Sequence, residues 1–383
     1  MAALLGLCQP GDLVLLPRHG HRCLVSAAVV SGIRPAFLRG EVDRAWGLPL
    51  GVTGQEVEEA LNRFPETKAV VLVYPTYEGV SPDLARAVEA AHRRGVKVVV
   101  DAAHGAHFGF HPQFPPRALA VGADVVVDGW HKTLGSLTQT AVLHLREESE
   151  SLSRVAWALD LLQTTSPSYV LLSSLEALCL QLAERGGELW EGALAAAGEV
   201  RSWVRAQSGL TLWEPGPGWL QDPLRVVVSA RDYGYDGAEL ASMLREHGGV
   251  VVEAWGAHHV LMVLSFADGP ECVPAIIRAL QRIEPKPGPA KTEDEVFLKG
   301  IALPRAPLTP REAFFAPQRL VPLSQASGKI AARPIVPYPP GIPICWPGEV
   351  VEEDVVDYVT ALVARGGQVQ GLTPDMKVAV VAE

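Results

Sequence analysis

Two residues in the middle of the chain have the types that covalent chemistry on an aldehyde needs. Lys132 stands in the run GADVVVDGWHKTLGSLTQTAVLHL, directly after a short apolar stretch that closes with Asp128-Gly129-Trp130-His131. Asp101 closes an earlier apolar stretch in VKVVVDAAHGAHF. If both stretches are strands of one parallel sheet, the amine and the carboxylate reach the same edge, where open α/β sheets place their ligands. An aldehyde cofactor with a basic ring nitrogen requires that pair: the amine bonds to the aldehyde and the carboxylate keeps the nitrogen protonated. Pyridoxal phosphate fits this description. Taken singly, each residue has an ordinary reading, since a strand-end Asp is commonly a turn or cap residue and a loop lysine is commonly solvated. The apolar neighbours Trp130 and Leu134 predict instead a partly buried Lys132, in which desolvation favours the uncharged, nucleophilic amine.

A different chemistry is written over the same stretch. Asp101, His104, His107 and His111 follow one another as D-x-x-H-x-x-H-x-x-x-H, superficially a zinc or manganese set. The pattern is not HExxH, and no distant acid or histidine pair completes it, so metal-dependent hydrolysis is the weaker reading and no metal is expected.

The elements that must position Asp101 and Lys132 follow an α/β rhythm. Asp12–Leu16, Pro35–Leu38, Ala69–Tyr74, Val96–Asp101, Ala123–Asp128 and Thr140–Leu145 are short β-branched runs. Amphipathic stretches such as Gln55–Asn62 and Pro82–Arg93 separate them, the βαβ pattern of a parallel sheet. Ser81 is placed to cap the second of these helices, with Pro82 at its first position. A long helical tract over Val170–Gln207 breaks near Gly186-Gly187. Leu224–Ser229, Val250–Glu253 and Val260–Phe266 suit a smaller sheet, with a helix over Gly237–Glu246. Pro285–Pro289 reads as a linker, and the later run PIVPYPPGIPICWPGE excludes regular helix or central strand. Three parts result: 1–165 as a large cofactor-binding domain, 166–288 as the long helix with a small α/β domain, and 289–383 as a C-terminal domain.

Composition limits the partners. The chain has 383 residues, 48% hydrophobic and 20% charged, enough for a sizeable core and too apolar for a disordered chain. A net charge of −10 argues against nucleic acid. The apolar runs are too short to span a bilayer, and Met1-Ala2-Ala3-Leu4-Leu5 lacks the basic flank of a signal peptide. Cys8, Cys23, Cys179, Cys272 and Cys345 are scattered, with no CxxC. These features predict a reduced, cytoplasmic, globular protein without membrane contact.

Several segments together resemble the bacterial-type Orn/Lys/Arg decarboxylases, pyridoxal-phosphate enzymes of the aspartate-aminotransferase fold (fold type I). They are CQPGDLVLLPRHGHRCLVSA, YPTYEGV, DAAHGAHF, WHKTLGSLTQTAVLH, LQTTSPSYVLLSSLE and SGKIAARPIVPYPPGIPICWPGE. The resemblance spans nearly the whole chain, and the HKTL and PYPPGIP segments are its most specific parts. It implies a mainly parallel sheet with helices on both faces, a smaller α/β domain and a C-terminal decarboxylase domain. It implies that Lys132 carries the cofactor and that Asp101 pairs with its ring nitrogen. Ala103 would lie against one face of the ring and His21 against the other. His131 would contact the phosphate or move protons, and Thr76 would reach the ring hydroxyl. Ser166, in TTSPSY, is either a phosphate contact contributed across a homodimer with shared active sites or part of a helix cap. The substrate would be a small basic amino acid, with His104 in the substrate site. Glu349 would either meet its distal cation or serve as an acid at a helix start. Arginine is the expected substrate over lysine and ornithine, because the likeness is to the shorter members of the family. An aminotransferase or aldolase of the same fold is the nearer alternative, although no arginine for a substrate carboxylate singles itself out.

Three departures stand against that pattern. Relatives carry a Ser/Thr-Gly phosphate-binding turn before the helix that corresponds to Ala2–Leu7, and this sequence opens inside that helix. Gly129 takes the place of a small hydroxyl residue three positions before the lysine. Ala102 replaces an acid, giving DAAH in place of DEAH. Two expectations follow for the front: an enzyme whose full front is not included, or a catalytically inactive relative serving as a structural or regulatory partner.

Overall fold

Short runs of Val, Leu and Ala that are buried on both sides favour a parallel sheet, and that is what they build. The computed structural model describes residues 1–146, 150–287 and 303–382. Six strands form the main sheet: β1 (Leu13–Pro17), β2 (Arg34–Leu38), β3 (Ala69–Val73), β4 (Lys97–Ala102), β5 (Val125–Asp128) and β6 (Val142–Leu145). Their order is β2-β1-β3-β4-β5-β6. The first five run parallel and β6 returns antiparallel along β5. Each of the six runs expected from the sequence is a strand. The register matters most at the carboxyl edge, where Asp101 lies beside Val127 and Ala102 beside Asp128. The chain that leaves β5 toward Lys132 therefore starts level with Asp101.

Helices cover both faces. On one side lie α1 (Ala2–Leu7), α2 (Cys23–Ser31) and α6 (Glu150–Leu162). Gly6 lets α1 approach α6 closely, since a Cβ there would stand 2.5 Å from the Cα of Val155. On the other side α3 (Gly54–Arg63) and α4 (Leu84–His92) add Val57, Leu61, Leu84 and Val88 to the core. Thr53 caps α3 by accepting from the Glu56 amide. The expected cap of α4 is corrected: Asp83, not Ser81, accepts from the Arg86 amide. Ser81 is already committed to the strand Val80–Ser81, which pairs with Leu220–Gln221.

The helical tract divides where its two glycines stand, into α7 (Tyr169–Arg185) and α8 (Glu188–Arg205). A four-stranded antiparallel sheet follows, in the order β7-β8-β10-β9, with β7 Thr211–Trp213, β8 Arg225–Ser229, β9 Ala254–Trp255 and β10 Val260–Val263. The strand expected at Val250–Glu253 sits later, at β9, and Val251 is left exposed. A helix over Gly237–Gly248 packs beside this sheet. One apolar core runs from the main sheet through α8 to the small sheet. Pro289, expected to end the linker, lies outside the described residues. In the C-terminal part Gln318–Pro322 pairs with Lys377–Val381 and Val336–Tyr338 with Gln368–Gln370, beside a helix over Glu353–Ala364. Its Trp346 leaves that local core and packs edge-on against Phe37 of β2, ring centroids 4.9 Å apart. Among the described residues no helix is long and apolar enough to cross a membrane.

Candidate active site

A one-turn helix, α5 (Trp130–Thr133), presents Lys132. Trp130 and Leu134 are four positions apart, share one face and pack into the core. Lys132 lies between them in sequence and so points the other way. The lysine is therefore exposed, not partly buried as its apolar neighbours suggested. Its amine borders a cavity of about 220 Å³ at the carboxyl edge of the sheet. Asp101, Ala103 and His104 line the same cavity from the end of β4, as do Thr76 and Glu78 from the turn after β3 and His21 from the start of α2. Met1, Ala3 and Leu4 close another side.

The geometry assigns each group a state. Asp101 is half-buried and its Oδ1 accepts from the Ala103 amide at 3.1 Å. His21 accepts from the Cys23 amide through Nδ1 at 3.2 Å. Burial pushes its imidazole below the usual range, with Lys132 and Arg22 acting in the same sense and Asp101 opposing them. His104 has Nε2 3.2 Å from the Lys132 amine and Nδ1 3.1 Å from Nη2 of Arg225. Burial, then the charges of Arg225 and Lys132, hold His104 well below its ordinary range, so it is a neutral imidazole. Arginine can only donate, which makes Nδ1 of His104 the acceptor from Arg225, and Nε2 carries the ring proton toward Lys132 once that amine is uncharged. Arg225 is itself buried, 3.5 Å from Asp222, whose Oδ2 stands 3.1 Å from Nε2 of His107. The small sheet thus reaches the cavity through one buried chain of polar side chains.

Other expected site residues are placed differently. Thr76 is fully buried at the cavity, and its hydroxyl accepts from the Val80 amide at 3.1 Å. His131 does not line the cavity; its Nδ1 is 2.6 Å from the Thr140 carbonyl. Ser166 is exposed between α6 and α7, away from the cavity of its own chain, and the cap of α7 is Ser168. Glu349 is corrected on both of its readings. It is buried, and its carboxylate takes both Nη1 and Nη2 of Arg18, at 2.6 and 3.0 Å, and the Trp346 amide at 2.7 Å. It is occupied by Arg18, and the helix after it starts only at Glu353.

Of the two substitutions near Lys132, only Gly129 has a local cause. A Cβ at Gly129 would come within 2.7 Å of the Ala103 carbonyl oxygen and 3.2 Å of Cδ of Lys132, so no side chain fits as the loop stands. Ala102 is buried, and it borders a small cavity shared with Arg117, Asp128 and His144. The three histidines of the D-x-x-H-x-x-H-x-x-x-H run diverge, His104 to Lys132 and Arg225, His107 to Asp222 and His111 to Glu191. Among the described residues no three His, Cys, Asp or Glu side chains converge as metal ligands.

Sequence reasoning passed over Arg225 and Glu78. A charged residue opening the otherwise apolar strand RVVVS was the signal for the first; YEG reads simply as a turn and hid the second. An amine, a carboxylate and a neutral imidazole around one cavity, with the small Ala103 on its wall, form the donor set that pyridoxal phosphate needs.

Comparison with known proteins fits this geometry. Residues 1–217 match the family model "Orn/Lys/Arg decarboxylase, major domain" and residues 290–382 match "Orn/Lys/Arg decarboxylase, C-terminal domain". Arginine decarboxylase of Bacillus subtilis (strain 168) is 35% identical over 97% of this chain and 77% of its own. The crystal structure of the Francisella novicida lysine decarboxylase superposes with a TM-score of 0.82 at 18% identity, over 100% of this chain and 68% of that one. The pyridoxamine-pyruvate aminotransferase of Mesorhizobium loti, at a TM-score of 0.55 and 20% identity over 73% of this chain and 74% of that one, shares the fold more distantly. Two family models in the right order, a relative matched over 97% of this chain and a fold shared throughout lead to one assignment: the chain belongs to the Orn/Lys/Arg decarboxylase family.

Proposed function

We propose that the chain decarboxylates a basic amino acid, arginine in preference to lysine or ornithine, with pyridoxal phosphate as cofactor. The observation that carries this reading is the β4–β5 register, which sets Asp101 level with the loop that presents Lys132 on one cavity. The arginine preference rests on the relatives named arginine decarboxylase at 34–35% identity.

When bound, the cofactor supplies an electron sink for the bond that releases carbon dioxide. The chain's own residues do the rest. Lys132 would hold the cofactor through its side-chain amine at the cavity edge. Asp101, fixed by the Ala103 amide, keeps the ring nitrogen protonated. Ala103, His21 and Thr76 would hold the cofactor from the cavity wall. His104, whose Nε2 proton faces the site, is poised to deliver a proton when carbon dioxide has left. The chain works as three parts, 1–165, 166–288 and 289–383, and as a homodimer in which Ser166 is supplied by the second subunit.

Mixing the protein with pyridoxal phosphate, reducing with borohydride and mapping the label tests the reading. The label is expected on Lys132 and to vanish in Lys132→Ala, with carbon dioxide released from arginine by the unreduced protein. A variant lacking Lys132 that keeps the wild-type cofactor spectrum would sink the assignment.

A further inference from the structure

We propose that Glu78 receives the distal cation of the substrate, an inference that rests on the decarboxylase reading above. A basic amino acid brings a guanidinium or ammonium into the cavity at the end remote from its α-carbon, and burying that charge requires a carboxylate with geometry to match. The lining of the cavity offers two acids, Asp101 and Glu78. Asp101 stands with Lys132 at the reacting end. Glu349, the acid that sequence suggested, is held by Arg18.

Glu78 is buried at the cavity wall with one oxygen of its carboxylate unmatched. It is only 7% exposed, and its Oε2 is buried with no hydrogen-bond partner. Among the described residues no Lys, Arg or His forms an ion pair with it. Leaving a buried carboxylate oxygen unmatched is costly, and a cation entering the cavity that Glu78 lines would offset that cost.

The turn that carries Glu78 is fixed from several sides. The Gly79 amide donates to the Thr76 carbonyl and the Val80 amide to the Thr76 hydroxyl. The Tyr77 hydroxyl donates to Glu253 at 2.6 Å. Gly79, at a φ of +89°, packs on the stem of Arg225, where a Cβ would come within 2.5 Å of Cγ. The charged group facing Glu78 is Arg225 from β8, while Tyr77 and its partner Glu253 flank it.

Burial raises the Glu78 carboxyl to about 7, against the opposing pull of its own backbone amide, Thr76 and Arg225. In mildly acidic solution the empty site therefore holds a proton there, and an arriving cation expels it.

Agmatine, which has the guanidinium but no carboxylate, is the probe. Calorimetric titration of the cofactor-loaded protein at about pH 6, in two buffers of different ionisation enthalpy, reads affinity and proton release together. The wild type is expected to release about one proton per agmatine, because a carboxyl near 7 is mostly protonated at that pH. Glu78→Gln is expected to abolish that release and weaken agmatine binding about ten- to hundredfold, the range for a lost charged hydrogen bond. Borohydride labelling of Lys132 in the same variant checks that the site is intact. Wild-type affinity and proton release in Glu78→Gln would overturn the proposal. So would a lower kcat on arginine with agmatine binding unchanged, which would make Glu78 a proton-transfer group. Absence of label on Lys132 in the wild type would defeat the decarboxylase reading, while agmatine titrations of the protein alone would still decide the role of Glu78.

Discussion

Around Lys132 the tightest constraint is a missing side chain. Gly129 caps α5 and sits against the Ala103 carbonyl, and any Cβ there must displace either that carbonyl or the lysine stem. Gly129→Ser, which adds the small hydroxyl that the family resemblance implies there, is expected to move Lys132, lower the yield of borohydride label and cost about 1–3 kcal/mol by overpacking. Full labelling with an unchanged denaturation midpoint would mean that the loop relaxes freely. Which single residues form the site was legible from sequence to the extent that strand ends are. Asp101, Ala103, His104 and Lys132 all follow apolar runs, and all line the cavity. Glu349 was not legible, because its partner Arg18 is 331 residues away in sequence and no local pattern announces the pair.

At the scale of elements, strands were read more securely than caps. Continuous Val and Leu runs leave little choice but a sheet buried on both faces, whereas Ser81 and Asp83 are both competent caps for α4. The choice fell to Asp83 because Ser81 is drawn into a strand by Leu220–Gln221, a partner invisible to local reasoning. Helices α6 and α7 carry much of the exposed apolar surface among the described residues. Trp157 is 65% exposed, Val170 68%, and Leu161, Tyr169 and Leu180 are similarly open. Apolar surface on this scale marks an interface, and Ser166 lies in the loop between the two helices. Sedimentation is expected to show a dimer for the wild type and a monomer for Trp157→Glu combined with Val170→Glu. A wild-type monomer at micromolar concentration would remove the shared-site assignment of Ser166.

Across the whole molecule, the Arg18–Glu349 pair joins the end of β1 to the C-terminal part, both side chains being only 2% exposed. The pair is bidentate, Nη2 of Arg18 also donates to the Ile344 carbonyl at 3.0 Å, and burial pushes the Glu349 carboxyl upward against the pull of Arg18. Removing one member leaves the other buried and unmatched. Glu349→Gln or Arg18→Met is expected to lower stability by about 3–5 kcal/mol in denaturant titration, with much of the loss recovered when both positions become apolar. A single variant within about 0.5 kcal/mol of wild type would show that water already reaches the pair. The same pair also sets an order in time. Arg18 is translated 331 residues before Glu349, so the sheet edge beside the cavity cannot neutralise its buried guanidinium until that whole stretch has been made. A nascent chain stopped short of Glu349 holds an uncompensated cation at the end of β1, which ties completion of the main sheet to translation of the C-terminal part.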